Sequence, residues 1–308
     1  MSTNKKAMLF IGNGYDVALG YDTKYSNFYN NSILLKQYAD CGNNLCKHII
    51  NNLKGDLWKD LECGLYQYSL SLTRKFGIGN ENVARDFQKE FNELKNALFE
   101  YLKKEIQKTV SASSVVNSLL PIWNKLDFQC LSFNYTISIA VNINKGNGRK
   151  CYNTDDSINT NILIYRHGSL YDSKNACDCQ SEDIVVGIDD SQKVEELHSF
   201  LYKSQQSVQY QMRDLINDMN SKDVYIVYGC SMGDSDKCYF EKLFNPRNEG
   251  KCYILYGKGS INSMKNSVRK FVGDMNDFAA RNYLYFLDCS DEPNTIQQTK
   301  DIIGKIVK

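Results

Sequence analysis

The sequence predicts an α/β protein with a mostly parallel, Rossmann-like sheet covered by helices and interrupted by a helical insertion. Two observations carry this. Six short apolar runs lack the polar alternation of a half-exposed strand, and helix-period apolar stripes lie between some of them. Helices cover both faces of a parallel sheet, so its strands read as continuous apolar runs.

The first run is Ala7-Met8-Leu9-Phe10-Ile11, which stops at Gly12. Phe128–Phe133 and Ile162–Tyr165 follow, then Val224–Tyr228, Cys252–Tyr256 and Tyr283–Leu287. From Phe87 the apolar positions Phe91, Leu94, Leu98, Tyr101, Leu102 and Ile106 mark one face of a helix. A second, less regular stripe runs through Leu197, Leu201, Val208, Met212 and Leu215. The gap between the first two strands is far longer than one crossover needs, so residues 37–120 read as a helical insertion. Residues 1–308 are otherwise read as a single α/β domain, with polar loops at Cys151–Thr160 and Asp172–Asp183.

Composition narrows the function. Lys plus Arg is 37 and Asp plus Glu is 36, so no general basic field invites nucleic acid. The apolar run near the N-terminus is too short for an export signal, and no stretch approaches the ~20 apolar residues that span a bilayer. A cytoplasmic protein with no membrane association is expected. Its 11 cysteines then read as reduced, mostly buried thiols. Cys41, Cys46 and His48 cluster loosely and Cys177-Asp178-Cys179 is a C-x-C, but neither has the paired spacing of a zinc site. No metal is expected.

Four segments carry the candidate chemistry, each placed where an apolar run ends. Gly12-Asn13-Gly14-Tyr15-Asp16 follows the first run and precedes Val17-Ala18-Leu19, a predicted helix start. A strand, a glycine turn and a helix N-terminus present amides to an anion, or else simply make a tight strand-to-helix turn. The full dinucleotide fingerprint is missing, because Val17 stands where its third glycine would fall. Asn134 ends the second run, where it orients a water or ribose hydroxyl, or else caps a following helix. His167, after the third run, is a candidate general base. His48 and His198 fall in helical stretches and read as structural. Gly229–Asp236 follows the fourth run and offers Gly229, Ser231 and Asp234 as ligand contacts. This segment also spells G-x-S-x-G, but no His follows Ser231, which argues against a serine hydrolase of the α/β type.

These segments occur together with Gly20, Thr23, Tyr25, Phe28, Trp58-Lys59-Asp60-Leu61-Glu62, Phe133-Asn134-Tyr135-Thr136, His167-Gly168 and Gly187-Ile188-Asp189. In this order they resemble the AbiH family, linked to abortive infection against bacteriophage. One departure is Cys230, where the family pattern leads us to expect His. The ordered set is also distantly similar to sirtuin-type NAD domains, some of which hydrolyse NAD in prokaryotic defence. By that resemblance Asn134 and His167 match the catalytic Asn and His, and NAD enters as substrate. The four zinc-binding cysteines of sirtuins are missing, which argues against protein deacylation. The resemblances imply an NAD glycohydrolase. The cofactor-binding positions are Gly12, Asn13, Gly14, Asp16, Gly229, Ser231 and Asp234. A phage trigger or defence-system partner protein and a homo-oligomer are expected. A nucleotide-sensing module without catalysis is the main alternative, and a nuclease-type toxin the next. The nuclease would need a basic groove or an acidic metal cluster, neither of which the sequence signals.

Overall fold

A computed structural model describes residues 6–52, 58–108, 127–136, 163–165, 184–206, 222–233, 236–245, 250–257, 260–272 and 284–289, with isolated positions elsewhere. The chain divides into two compact units. One comprises Met1–Tyr21, Thr109–Arg166 and Arg213–Lys308; the other comprises Asp22–Lys108 and His167–Met212.

The first unit is built on a sheet of six parallel strands: β1 (Lys6–Ile11), β2 (Asp127–Ser132), β3 (Leu163–Tyr165), β4 (Val224–Tyr228), β5 (Lys251–Tyr256) and β6 (Leu284–Asp288). Every apolar run identified in the sequence is a strand, shifted by at most one residue at its start or end. The spatial order is β3-β2-β1-β4-β5-β6. The chain winds outward from β1 in one direction and, from β4, in the other. The order therefore reverses between β1 and β4, and in doubly wound sheets that switch point opens a crevice at the carboxyl ends of the strands. All of Ala7–Ile11 and Val224–Tyr228 is buried, which explains their unbroken apolar character. Helix α1 (Gly14–Leu19) follows β1 directly. It starts three residues before the expected Val17 and ends at Gly20, whose φ of 98° suits a residue without a Cβ. On one face Met8, Phe10, Leu131, Phe133, Tyr225 and Val227 pack with Phe240, Leu243, Phe244 and Val268.

The second unit is helical. Helices α2 (Tyr25–Asn31), α3 (Ile33–Asp40), α4 (Asn44–Asn52), α5 (Trp58–Phe76) and α6 (Glu81–Ile106) occupy its first segment. The helical insertion expected at 37–120 is therefore displaced: this unit takes in Asp22–Lys108 and gains a second segment, His167–Met212. Local propensity cannot mark such a boundary, because the unit is defined by contacts between segments distant in sequence. Helix α6 follows the predicted stripe. Phe87, Phe91, Leu94, Leu98, Tyr101 and Leu102 are buried, and Asn80 caps it by accepting from the Val83 amide at 3.3 Å. The second predicted stripe holds less well. Glu196–Leu201 is a 3-10 helix and α7 is only Lys203–Gln206; Leu197 is exposed, while Val208, Met212 and Leu215 lie outside the described residues. His198 is structural, as the sequence suggested. Its Nδ1 is 2.8 Å from Ser69 Oγ, and Phe87 meets its ring edge to face.

Candidate functional site

Three loops at the carboxyl ends of β1, β2 and β4 form the candidate site, all in the sheet-bearing unit. The loops after β1 and β4 lock together through their backbones. Gly12 N donates to Tyr228 O and Gly14 N to Gly229 O, both at 2.9 Å, and Tyr15 N turns back to Gly12 O. The approach is so close that a Cβ on Gly12 would lie 2.5 Å from Gly229 O and 2.6 Å from Cys230 Cα. One on Gly14 would lie 2.6 Å from Gly229 Cα, and one on Gly229 2.5 Å from Tyr15 N. Gly229 also has φ 68°, in the left-handed region.

These distances revise the reason for the glycines. The sequence suggested that Gly12 and Gly14 let the backbone approach a phosphate. Their amides are instead spent on carbonyls of Tyr228, the last residue of β4, and Gly229, and their missing side chains make room for the loop after β4. Asn13 stands between them, half-buried. Met232 carries φ 51°, an uncommon conformation for a side chain of its size, and is held there by burial among Phe133, Cys230 and Tyr239. Ser231 is half-buried and its carbonyl accepts from Ser267 Oγ at 3.4 Å. Cys230 is buried, and its thiol donates to Tyr228 O at 3.8 Å. Burial first, then the nearby Asp236 and Cys130, push its pKa far up, so it stays protonated and is a poor nucleophile.

The β2 end is held from several directions. Phe133 N donates to Ile11 O at 2.8 Å, extending the sheet ladder one residue past the strand. The Phe133 ring stacks on Phe240 and meets Tyr239 edge to face. The Asn134 amide donates to Ser132 Oγ at 3.3 Å. Two residues on, Thr136 Oγ1 donates to Asp16 Oδ2 at 2.6 Å, and both residues are 1% exposed. Asp16, a predicted ligand contact or helix cap, also ties α1 to the loop after β2.

Asn134 itself is 2% exposed, and among the described residues neither Oδ1 nor Nδ2 of its side chain has a hydrogen-bond partner. A buried amide normally finds partners, because leaving one unpaired costs about 1–3 kcal/mol. An orphaned donor and acceptor on one side chain, beside the switch point, leave two hydrogen-bonding groups that a polar ligand could satisfy. His167 and Asp234 lie outside the described residues. Among the described residues no group of three or more His, Cys, Asp or Glu side chains could hold a metal ion, and no helix is long and apolar enough to cross a membrane.

A family model described as bacteriophage abortive infection AbiH matches residues 8–257, from the second residue of the buried β1 run to just past β5. The chain belongs to the AbiH family. Membership gives the protein an anti-phage, abortive-infection role. The match takes in all three loops of the candidate site and the whole helical unit of this AbiH protein. No curated protein shows a significant match to it.

Sequence reasoning gave Asn134 its place at a strand end but could not show that its amide lacks partners. It missed Thr136 as a site residue altogether. The one available signal was its position within the Phe133-Asn134-Tyr135-Thr136 segment.

Proposed function

We propose that this AbiH protein acts in phage defence by binding NAD at the carboxyl ends of β1, β2 and β4 and hydrolysing the nicotinamide–ribose bond. The observation that carries the reading is the buried Asn134 carboxamide with no partner among the described residues, next to the point where the strand order reverses. A ribose hydroxyl both donates and accepts, so it satisfies such a group, as does a water held for attack. The distant sirtuin-type resemblance adds the chemistry. The phosphates of the substrate are not assigned to the Gly12 and Gly14 amides, which already donate within the protein.

In this reading a water oxygen attacks the anomeric carbon of the ribose. The C–N bond breaks and its electron pair leaves with nicotinamide, which becomes neutral. By the sirtuin-type resemblance, which matches His167 to the catalytic His, the water proton passes to that residue. Asn134 holds the water or a ribose hydroxyl in line. The transition state is oxocarbenium-like, so orientation and fixed dipoles supply much of the rate.

The test is release of nicotinamide and ADP-ribose in equal amounts from NAD, together with NAD levels in phage-infected cells. Loss of a general base costs about 10²- to 10⁴-fold in rate, so His167→Ala is expected to abolish NAD loss in both settings. NAD that stays constant in infected cells while wild-type and His167→Ala proteins protect equally would refute hydrolysis. Binding of NAD without turnover would then favour the nucleotide-sensing module.

A further inference from the structure

We infer that Asp16 and Thr136 form a positioning clasp that holds Asn134 toward its ligand; this rests on reading Asn134 as the residue that meets the ligand. No hydrogen bond among the described residues fixes the direction of the Asn134 side chain, since Oδ1 and Nδ2 have no partner there. Its orientation must come from the backbone on either side and from packing. Upstream, the Phe133 amide is tied to Ile11 O and the Asn134 amide to Ser132 Oγ. Downstream, the tie is the 2.6 Å bond from Thr136 Oγ1 to Asp16 Oδ2. That bond is short for a hydroxyl donor and fully buried, conditions under which a hydrogen bond is strong and directional. Asp16 lies in α1, immediately after the turn locked to the β4 loop. The clasp therefore fixes the Asn134 loop to a piece of backbone that is itself bonded to the end of β4. Neither residue touches substrate in this account; both act through Asn134.

The experiment compares wild-type full-length protein with Thr136→Val, Thr136→Ser, Asp16→Asn and Asn134→Ala. Valine keeps the shape of threonine and removes the hydroxyl; serine restores the hydroxyl. Misplacing a positioned group by about 1 Å costs roughly 10²-fold, so Thr136→Val is expected to lower kcat for nicotinamide release on that order while KM barely moves. Thr136→Ser recovers most of the rate. The second readout does not need turnover. The side-chain amide resonance of Asn134, assigned by its loss in Asn134→Ala, shifts or broadens in Thr136→Val and returns in Thr136→Ser. Asp16→Asn keeps an acceptor oxygen on a neutral amide and moves the resonance in the same direction by less, which serves if Thr136→Val does not fold.

An unmoved Asn134 resonance in Thr136→Val or, failing that variant, in Asp16→Asn overturns the clasp. So does full kcat in Thr136→Val, or equal loss in the valine and serine variants. A wild-type protein that never turns over NAD refutes the hydrolase reading alone, and the resonance still decides the clasp.

Discussion

Replacing Asn134 by leucine separates a residue built for a ligand from one built for the fold. The two side chains have the same number of heavy atoms and branch at the same carbon, so the exchange leaves no large cavity, although leucine's methyls are bulkier than the amide's O and NH2. In the free protein Asn134 contributes a buried donor and a buried acceptor without partners among the described residues. One such unpaired group costs about 1–3 kcal/mol. Removing them should therefore stabilise the free protein by about 1–2 kcal/mol, after allowing for imperfect repacking of the branched side chain. For a folding unit of this size each kcal/mol moves Tm by about 2–4 °C, so the expected rise is roughly 2–8 °C. Turnover and ligand binding should fall in the same variant, a gain in stability against a loss of function. Thermal unfolding by circular dichroism, with and without NAD, makes the measurement. Added NAD should raise the Tm of the wild type and leave Asn134→Leu unmoved. A free-state Tm that drops by several degrees would refute the reasoning, because it would mean that the Asn134 amide is paired inside the protein.

Three further perturbations test other parts of the argument. Gly12→Ala places a Cβ 2.5 Å from Gly229 O and 2.6 Å from Cys230 Cα; overpacking against backbone costs about 1–3 kcal/mol, so Tm should fall even without ligand, whereas a role only in phosphate approach would leave it unchanged. Lys203, 0% exposed, is paired with Glu62; Glu62→Gln should cost about 3 kcal/mol in chemical denaturation, and a loss under 1 kcal/mol would show that other groups carry the buried ammonium. Burial lowers the pKa of His198, against a smaller upward pull from Glu195. Unfolded His198 takes up its proton near its ordinary value of about 6.5 while the folded ring stays neutral to lower pH, so its contribution is full above that value and declines as pH falls below it. The urea midpoint of His198→Gln should therefore depend less on pH between about 6.5 and 5 than that of the wild type; parallel curves would refute the assignment.

The sequence alone determined the strands and the longest helix. A strand covered on both sides must be apolar at every position, so Met8–Ile11, Val224–Tyr228 and Cys252–Leu255 announced themselves without any knowledge of neighbours. The stripe from Phe87 to Leu102 likewise needs only the helix period to be read. It also placed Gly12, Asn134 and Gly229 at strand ends, because an apolar run that stops at a polar or glycine residue is visible in one dimension. Tertiary structure decided the rest. The order β3-β2-β1-β4-β5-β6, which puts the loops after β1 and β4 on either side of the switch point, depends on pairings across more than a hundred residues. The glycines of the first turn looked like a phosphate cradle because glycine marks close approach without saying what approaches; the partner is the β4 loop. Asp16 looked like a helix cap or a ligand contact, and its bond from Thr136, 120 positions away, could not be read from the sequence. Whether a buried amide is satisfied is a property of every group around it, and those groups come from separate strands. For that reason the orphaned side chain of Asn134 could be found only once the chain had folded.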